Sequence, residues 1–284
     1  MATDLDKLLR NLQIEQIDKY LFIGRSPRLP ARVFGGQVLA QALNAAIRTV
    51  DAERSAHSMH AYFLRPGNPK KQIVYEVDPI RDGRGFTTRR VVAKQNGRAI
   101  FNTSVSFQLP ENGPEHQMSI DMPAAPESLE SDLDFWKRMA VEYPDRFEVP
   151  RFWAIDRRPV QRPDYLNPET DVGEPQTACW LKAEGALGDD SIQHQTLLAY
   201  MSDMTLLGAA LRPHAVNTRS GNLMFASLDH ALWLHRPFRV DEWLLYAHDS
   251  PSAAASRGFT RGSFYSREGV LVASVAQEAL IRAK

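Results

Sequence analysis

The sequence predicts an α+β fold of two similar units, each consisting of a helix covered by a curved antiparallel sheet. The first observation is a repeat: His60–Pro66 returns as His230–Pro237 with one residue inserted. A second segment, Arg84–Thr87, returns as Arg257–Thr260, so the period is about 170 residues. A helix-like segment precedes each copy and an alternating run of residues follows it. These observations together indicate a duplicated unit of helix plus sheet.

Helices are expected at four places. The charged segment Met1–Ile17 repeats leucine at helical spacing and lacks the apolar core of a signal peptide, so it predicts an amphipathic helix. The segments Phe34–Arg48 and Tyr200–Leu211 are rich in glycine and alanine. Such small residues suit a helix whose axis lies close to a curved sheet. A shorter helix is expected at Ser131–Val141.

Strands are expected after each helix, in segments rich in β-branched and aromatic residues. One strand in each unit begins at Ser58 or Ser227. The others cover Lys71–Val77, Thr87–Gln95 and Arg98–Leu109, then Glu242–His248, Phe259–Ser266 and Val270–Ile281. Ten of the 18 prolines fall from Pro110 to Pro175. We therefore predict a first unit at residues 1–110, a proline-rich linker at 111–175 and a second unit at 176–284.

Composition is that of an ordinary globular protein. The 284 residues carry 34 basic and 34 acidic side chains, so nothing indicates a chain-wide footprint for nucleic acid or an anionic membrane. A lone cysteine, Cys179, excludes an internal disulfide and a thiolate metal cluster, which fits a reducing cytoplasm. The long uncharged run after Asp190 is broken by polar residues, so no membrane insertion is expected.

Several catalytic motifs are absent or out of context. The Gly83-Arg84-Gly85 segment lies between predicted strands, which favours a hairpin over a dinucleotide site. No Gly-x-Ser-x-Gly nucleophile elbow occurs, and the histidines lack His-Glu-x-x-His spacing, so a zinc site is not expected. His230 and His235 are expected to be structural, or to act behind the catalytic residues rather than on the substrate.

Four segments, spread over nearly the whole chain outside the linker, resemble the acyl-CoA thioesterase II family. They are Phe34–Leu43, Tyr62–Gly67, Ser227–Phe238 and Ser274–Glu278. The resemblance implies a double hot-dog fold, in which two copies of a helix wrapped by a sheet are fused. It also implies hydrolysis of fatty acyl-CoA to free acid and coenzyme A, with no metal or organic cofactor.

The resemblance further implies that Asp203, Ser227 and Gln277 are catalytic. Asp203 is the only formally charged residue between Ser191 and Leu211. Hydrolysis of a thioester needs a positioned water, a proton acceptor and donors for the oxyanion. Asp203 would accept the proton, the other two would position the water, and N–H groups at a helix start would face the oxyanion. Ser202 and Asp203 also lie where a helix could begin, so an N-cap role for Asp203 is the alternative.

The two units differ at these positions. Aligning the helices places Gln37 opposite Asp203, and aligning the last strands places Phe107 opposite Gln277. We therefore expect one active site per chain. The alternatives are a non-catalytic acyl-CoA-binding protein on the same scaffold and a hot-dog enoyl-CoA hydratase. Hot-dog hydratases use an Asp followed five residues later by a His, and Gly208 at that position counts against the second alternative.

Coenzyme A carries phosphates, so arginines near the sheet edges are candidate ligands for them. The candidates are Arg84, Arg90, Arg257 and Arg261, although such residues also keep strand edges soluble. Hot-dog sheets expose long edges that favour pairing, so a homo-oligomer, either a dimer or a tetramer, is expected.

Overall fold

The computed structural model describes residues 2–27, 32–167 and 171–283. In these ranges the helices are α1 (Asp4–Leu12), α2 (Gly35–Ile47), α3 (Asp132–Glu142), α4 (Ser191–Ser202) and α5 (Gly208–Leu211). The strands of the first half are β1 (Ile14–Asp18), β2 (Leu21–Gly24), β3 (Ser55–Phe63), β4 (Ile73–Asp82), β5 (Phe86–Gln95) and β6 (Arg98–Gln108). Those that follow are β7 (Ile155–Pro159), β8 (Gln176–Ala183), β9 (Leu223–Ser227), β10 (Asp229–Leu234), β11 (Leu244–Ala254), β12 (Arg257–Ser266) and β13 (Leu271–Ala283).

One antiparallel sheet contains all the strands of the described ranges. Its order is β1-β2-β4-β5-β6-β3-β10-β13-β12-β11-β8-β7, with β9 paired to β13. The two half-sheets meet where β3 pairs with β10, with His60 opposite Ala231. The predicted repeat is therefore confirmed as two similar half-sheets joined side by side.

Helices α2 and α4 pack against each other in the core, and α2 also packs on strands β3 to β6. Almost every residue of α2 is buried, including Gly36, Ala40 and Ala42. A side chain at Gly36 would collide with the backbone oxygen of Tyr200 in α4. The small residues of α2 thus permit the close approach of two buried helices, as the sequence predicts.

The helix predicted at Tyr200–Leu211 is wrong. Helix α4 instead begins at Ser191, where the side chain of Asp190 accepts a hydrogen bond from the N–H of Ile192 at 3.0 Å, and ends at Ser202. Turns follow, with Thr205 in the left-handed region (φ 67°), before the single turn of α5. The apolar run after Asp203 therefore does not continue the helix.

The other predicted elements are present with shifted ends. Helices α2 and α3 agree with prediction within about one residue, whereas α1 stops at Leu12 and a strand, β1, follows it. Strands β1, β2, β7, β8 and β9 were not predicted, and β7 lies within residues 111–175. The division into units at 1–110 and 176–284 with a linker between them stays a prediction. Among the described residues, no helix has the length and hydropathy needed to cross a bilayer.

Candidate active site

The structure brings the three predicted catalytic residues together. Asp203 follows the last residue of α4, Ser227 ends β9, and Gln277 lies in β13. Strands β9 and β13 pair with Ser227 opposite Ala279, which places Gln277 beside the serine. The Gln277 Nε2 group donates to Ser227 Oγ at 3.1 Å, and Ser227 Oγ donates to Asp203 Oδ1 at 3.3 Å.

The second carboxylate oxygen of Asp203 reaches into the other half of the molecule. Asp203 Oδ2 accepts a hydrogen bond from the backbone N–H of Gly36, in the first turn of α2, at 2.9 Å. A Cβ atom on Gly35 would lie 2.6 Å from Asp203 Oδ2, so only glycine leaves room for this approach. The positive end of the α2 dipole favours a negative charge here. The alternative N-cap role of Asp203 is wrong, because the residue is the C-cap of α4.

Burial raises the pKa of Asp203 to about 6. Hydrogen bonds from Gly36, Ser227 and Gln277, together with the charge of Arg32, oppose this rise. The carboxylate is therefore ionised at neutral pH, yet it is far more basic than an ordinary aspartate. A carboxylate with a pKa near the working pH is suited to act as a general base.

His230 lies behind Gln277 and is almost fully buried, with 1% of its surface exposed. Its Nδ1 lies 2.6 Å from Gln277 Oε1, and its Nε2 lies 2.9 Å from Ser202 Oγ. Burial lowers the pKa of His230 to about 4, so the ring is neutral. Because the amide oxygen of Gln277 can only accept, Nδ1 carries the proton and Nε2 is the acceptor nitrogen of the ring, beside a Ser202 hydroxyl that also donates to Ala199 O at 2.9 Å. This bond fixes the amide so that its N–H groups face Ser227 and Asp203.

Every hydrogen bond in this set is directed toward Asp203. The order of donation is His230 to Gln277, Gln277 to Ser227, and Ser227 to the carboxylate. The sequence places His230 behind the catalytic residues without naming its partner. The partner depends on strand register, since His230 and Gln277 lie on adjacent strands, β10 and β13.

The first half holds apolar residues at the corresponding positions. Val105 lies eight residues after Gly97, as Gln277 lies eight residues after Gly269, and both glycines have positive φ in the preceding turn. Val105 pairs with Met59 of β3. The predicted match of Phe107 with Gln277 is therefore displaced by two residues.

The match of Gln37 with Asp203 is also wrong. Gln37 lies in the first turn of α2, whereas Asp203 follows the last turn of α4. The Gln37 amide donates to Arg25 O and Ser26 Oγ, so its role is to hold the preceding loop.

A cavity of about 770 Å³ opens in front of Asp203, Ser227 and Gln277. Much of its wall is apolar and includes Phe63, Leu207 and Leu211, and residues of the expected linker such as Trp136 and Tyr165 also line it. Its volume suits an acyl chain with part of its carrier.

The four arginines predicted to bind phosphates do not line this cavity in the described residues. Arg90, Arg257 and Arg261 instead form ion pairs with Asp78, Glu278 and Asp249, at 2.6, 2.8 and 2.6 Å. The backbone oxygen of the fourth, Arg84, accepts a hydrogen bond from Arg54 Nη2 at 3.1 Å. The arginines on the cavity wall are Arg32, Arg65, Arg157, Arg212 and Arg219.

Two fused helix-and-sheet units with a carboxylate at their junction are the arrangement of the double hot-dog fold. Solved structures agree with this fold. An acyl-CoA thioesterase II, TesB2, of Mycobacterium marinum superimposes with a TM-score of 0.81 and 38% identity, covering 98% of both chains.

Sequence comparison gives the family. Residues 25–108 match the acyl-CoA thioesterase N-terminal domain, and residues 150–280 match the acyl-CoA thioesterase model. Acyl-CoA thioesterase 2 of Haemophilus influenzae is 38% identical over 285 residues, 99% of each chain. Acyl-coenzyme A thioesterase 8 of Homo sapiens is 39% identical over 96% of this chain and 88% of its own. The chain belongs to the acyl-CoA thioesterase II family.

Proposed function

We propose that the protein hydrolyses fatty acyl-CoA to free fatty acid and coenzyme A, using a water molecule activated by Asp203. The observation that carries this proposal is the line of hydrogen bonds that ends on an ionised carboxylate at the wall of an apolar cavity. Membership of the acyl-CoA thioesterase II family supports the same reaction.

The mechanism follows from the groups around Asp203. The carboxylate takes a proton from water while the water oxygen bonds to the thioester carbonyl carbon. Ser227 and Gln277 fix the position of that water, and the positive end of α2 faces the charge that develops on the carbonyl oxygen. The C–S bond then breaks, and the proton passes from Asp203 to the departing thiolate. This route forms no covalent enzyme intermediate and calls for no cofactor.

The phosphates of coenzyme A need cations, and we assign them to arginines of the cavity. Arg65 and Arg219 lie on its wall, whereas Arg90, Arg257 and Arg261 are engaged by carboxylates across strands. Replacing Arg65 with alanine should raise KM for acyl-CoA more than for the same acyl group on N-acetylcysteamine, which has no phosphate. An equal change in KM for the two substrates would favour Arg90, Arg257 and Arg261 as the phosphate ligands instead.

A thiol-release assay with decanoyl-CoA tests the function. The wild type should release coenzyme A, and Asp203→Asn should not. Binding of decanoyl-CoA without thiol release would favour a non-catalytic acyl-CoA-binding protein. Loss of enoyl-CoA absorbance without free thiol would favour a hydratase.

We further propose that the enzyme works in the cytoplasm, in fatty acid metabolism, as a homo-oligomer of two or four chains. The outermost strands of the sheet, β1 and β7, are the edges available for such pairing. Light scattering of the full chain tests the assembly, and a monomer mass would contradict it.

A further inference from the structure

A second group of polar side chains lies on the wall of the same cavity, apart from the hydrogen bonds that end on Asp203. It consists of Thr177 and Cys179 from β8, Thr205 from the turn after α4, and His248 from β11. We call these four residues the polar patch. None of them has a role in the mechanism above.

The imidazole of His248 is the centre of the polar patch. Its Nδ1 lies 3.1 Å from Thr177 Oγ1, a normal hydrogen bond. Its Nε2 lies 3.5 Å from Thr205 Oγ1, at the limit of hydrogen bonding, and the Thr205 hydroxyl already donates to Met204 O at 2.6 Å. In either tautomer, therefore, Nε2 lacks a well-formed partner among the described residues.

The ring is nevertheless deeply buried. His248 is 5% exposed, and its ring lies against that of Tyr246 with centroids 4.0 Å apart. Burial lowers the pKa of His248 to about 3, so the imidazole is neutral at any working pH. A buried polar nitrogen without a good partner costs stability. A ligand that supplies the missing partner would remove that cost.

The fold itself does not require polar residues at these positions. Tyr75 and Tyr246 mark the same place in the two halves, and both are fully buried. Phe22 pairs with Tyr75, whereas Cys179 pairs with Tyr246. Two residues after each tyrosine come Val77 in the first half and His248 in the second. At these positions the first half, which lacks the proposed catalytic carboxylate, has apolar residues. The second half, which carries Asp203, has polar ones.

Backbone strain is also located here. Thr205 has a φ of 67°, a left-handed conformation that is unfavourable for a β-branched residue. It brings the Thr205 hydroxyl to the cavity wall two residues after Asp203. Such strain is found most often at ligand sites, where the rest of the fold maintains it.

The polar patch suits a neutral oxygen atom. It offers hydroxyl groups and an uncharged imidazole, which can donate to a keto oxygen and can either donate to or accept from a hydroxyl group. Arg157, the cation that acts on Cys179, is held in an ion pair by Asp132 and is not free to bind a carboxylate. We propose that Thr177, Thr205 and His248 form a subsite for a hydroxyl or keto oxygen on the acyl chain, an assignment that rests on the proposed thioesterase function.

The test compares substrates that differ by one oxygen. Decanoyl-CoA is assayed by thiol release beside decanoyl-CoA bearing a 3-hydroxyl, a 3-keto, a terminal hydroxyl or a terminal carboxylate. At least one of the neutral oxygenated substrates should exceed decanoyl-CoA in kcat/KM by about tenfold, the value of one well-placed hydrogen bond. The carboxylate should give no gain, and a preference for it would overturn the neutral-oxygen assignment.

Two variants connect the preference to the polar patch. His248→Val introduces the residue that the first half already accommodates, and Thr177→Val removes one hydroxyl at nearly constant volume. Each should cancel the preference for the oxygenated chain while decanoyl-CoA is hydrolysed as fast or faster. Leu211→Ala, on the apolar wall, should change both substrates by similar factors. Equal losses on both substrates in His248→Val and Thr177→Val would overturn the proposal.

The same variants separate this proposal from the function on which it rests. If the wild type releases no thiol from any substrate, the thioesterase function fails. Calorimetric binding of decanoyl-CoA and its hydroxylated forms then still tests the polar patch. Tighter binding of an oxygenated chain by the wild type, lost in His248→Val, would support the subsite, and equal binding would reject it.

Discussion

The carboxylate of Asp203 accepts a hydrogen bond from the backbone N–H of Gly36, although the two residues are 167 positions apart. Asp203 belongs to the second half of the chain and Gly36 begins the central helix of the first half. The proposed catalytic site is therefore shared by both halves, and the first half contributes the end of a helix to the hydrogen bonds of Asp203. This arrangement supports the expectation of one active site per chain.

The first prediction concerns the general base. Asp203→Asn keeps the size of the side chain but removes its ability to take a proton. Thiol release should fall by about 100-fold or more. In the wild type, kcat/KM should decline about tenfold per pH unit below the Asp203 pKa of about 6. A pH profile that stays flat down to pH 4.5 would show that another group is the base.

The same substitution has an expected effect on stability. Because burial raises the pKa of Asp203 from 3.8 to about 6, the folded state binds this proton more tightly than the unfolded chain does. The carboxylate therefore lowers stability, with the cost appearing as pH rises from about 4 to 6 and complete above that range. This rise in pKa corresponds to at most about 3 kcal/mol, and water in the cavity reduces it.

Asp203→Asn should therefore raise Tm relative to wild type at pH 8, and the difference should shrink at pH 4.5. Melting curves followed by circular dichroism at the two pH values provide the measurement. A variant that is less stable than wild type at pH 8 would mean that the hydrogen bonds to the carboxylate outweigh its burial.

A third prediction concerns Ser227 and Gln277. Ser227→Thr keeps the oxygen and should retain most activity, whereas Ser227→Ala should lose about 1 to 3 kcal/mol of transition-state stabilisation. Gln277→Ala should lose a similar amount. The variant with both Ser227→Ala and Gln277→Ala should lose less transition-state stabilisation than the two single variants added together, because both residues hold one water. Phe107 lies in the core of the first half, so Phe107→Leu should lower Tm while kcat changes little. Strictly additive losses in kcat would exclude a shared water.

His230 provides a fourth prediction, as a positioning residue. His230→Ala removes the donor that fixes the Gln277 amide, so kcat should fall roughly tenfold while KM changes little. In a Gln277→Ala background, His230→Ala should lower kcat almost no further, since the amide that His230 positions is already missing. Because His230 stays neutral above its pKa of about 4, the acid limb near pH 6 should remain in the single variant. If His230→Ala lowers kcat by the same factor with and without Gln277, His230 is a residue of the core and does not position Gln277.

The fifth prediction concerns the seam between the halves. A fragment of residues 1–110 would expose the whole edge of β3, which β10 normally covers, and the face of α2 that packs on α4. Open strand edges of this kind pair with other chains. We expect this fragment to self-associate in light scattering, whereas a monomer that melts cooperatively would contradict the expectation.

Some of these features are legible in sequence because they depend on local pattern. The repeat, the small residues of α2 and the turn glycines predict the duplicated fold and most strand positions. Helix α4 is misplaced because Ser202 and Asp203 have the residue types of a helix start, while the tertiary fold uses them at a helix end. Strand β1 is missed because only its first residue is buried, which leaves no alternating pattern to detect.

The site was predictable in part. Family resemblance points to Asp203, Ser227 and Gln277, and the structure brings them into contact. The contributions of Gly36 and His230 depend on helix packing and on strand register, which no single segment encodes. The polar patch is likewise invisible in sequence, since its residues come from three separate elements.

The seam between β3 and β10 also determines when activity can arise during synthesis. The hydrogen bonds of the proposed catalytic site extend from Gly36 to Gln277, so the first half of a nascent chain does not contain that site. Contacts between residues so distant along the chain form late in folding. Full activity of the proposed site requires that the ribosome has released the segment carrying Gln277, so we expect enzymatic activity to report completed folding.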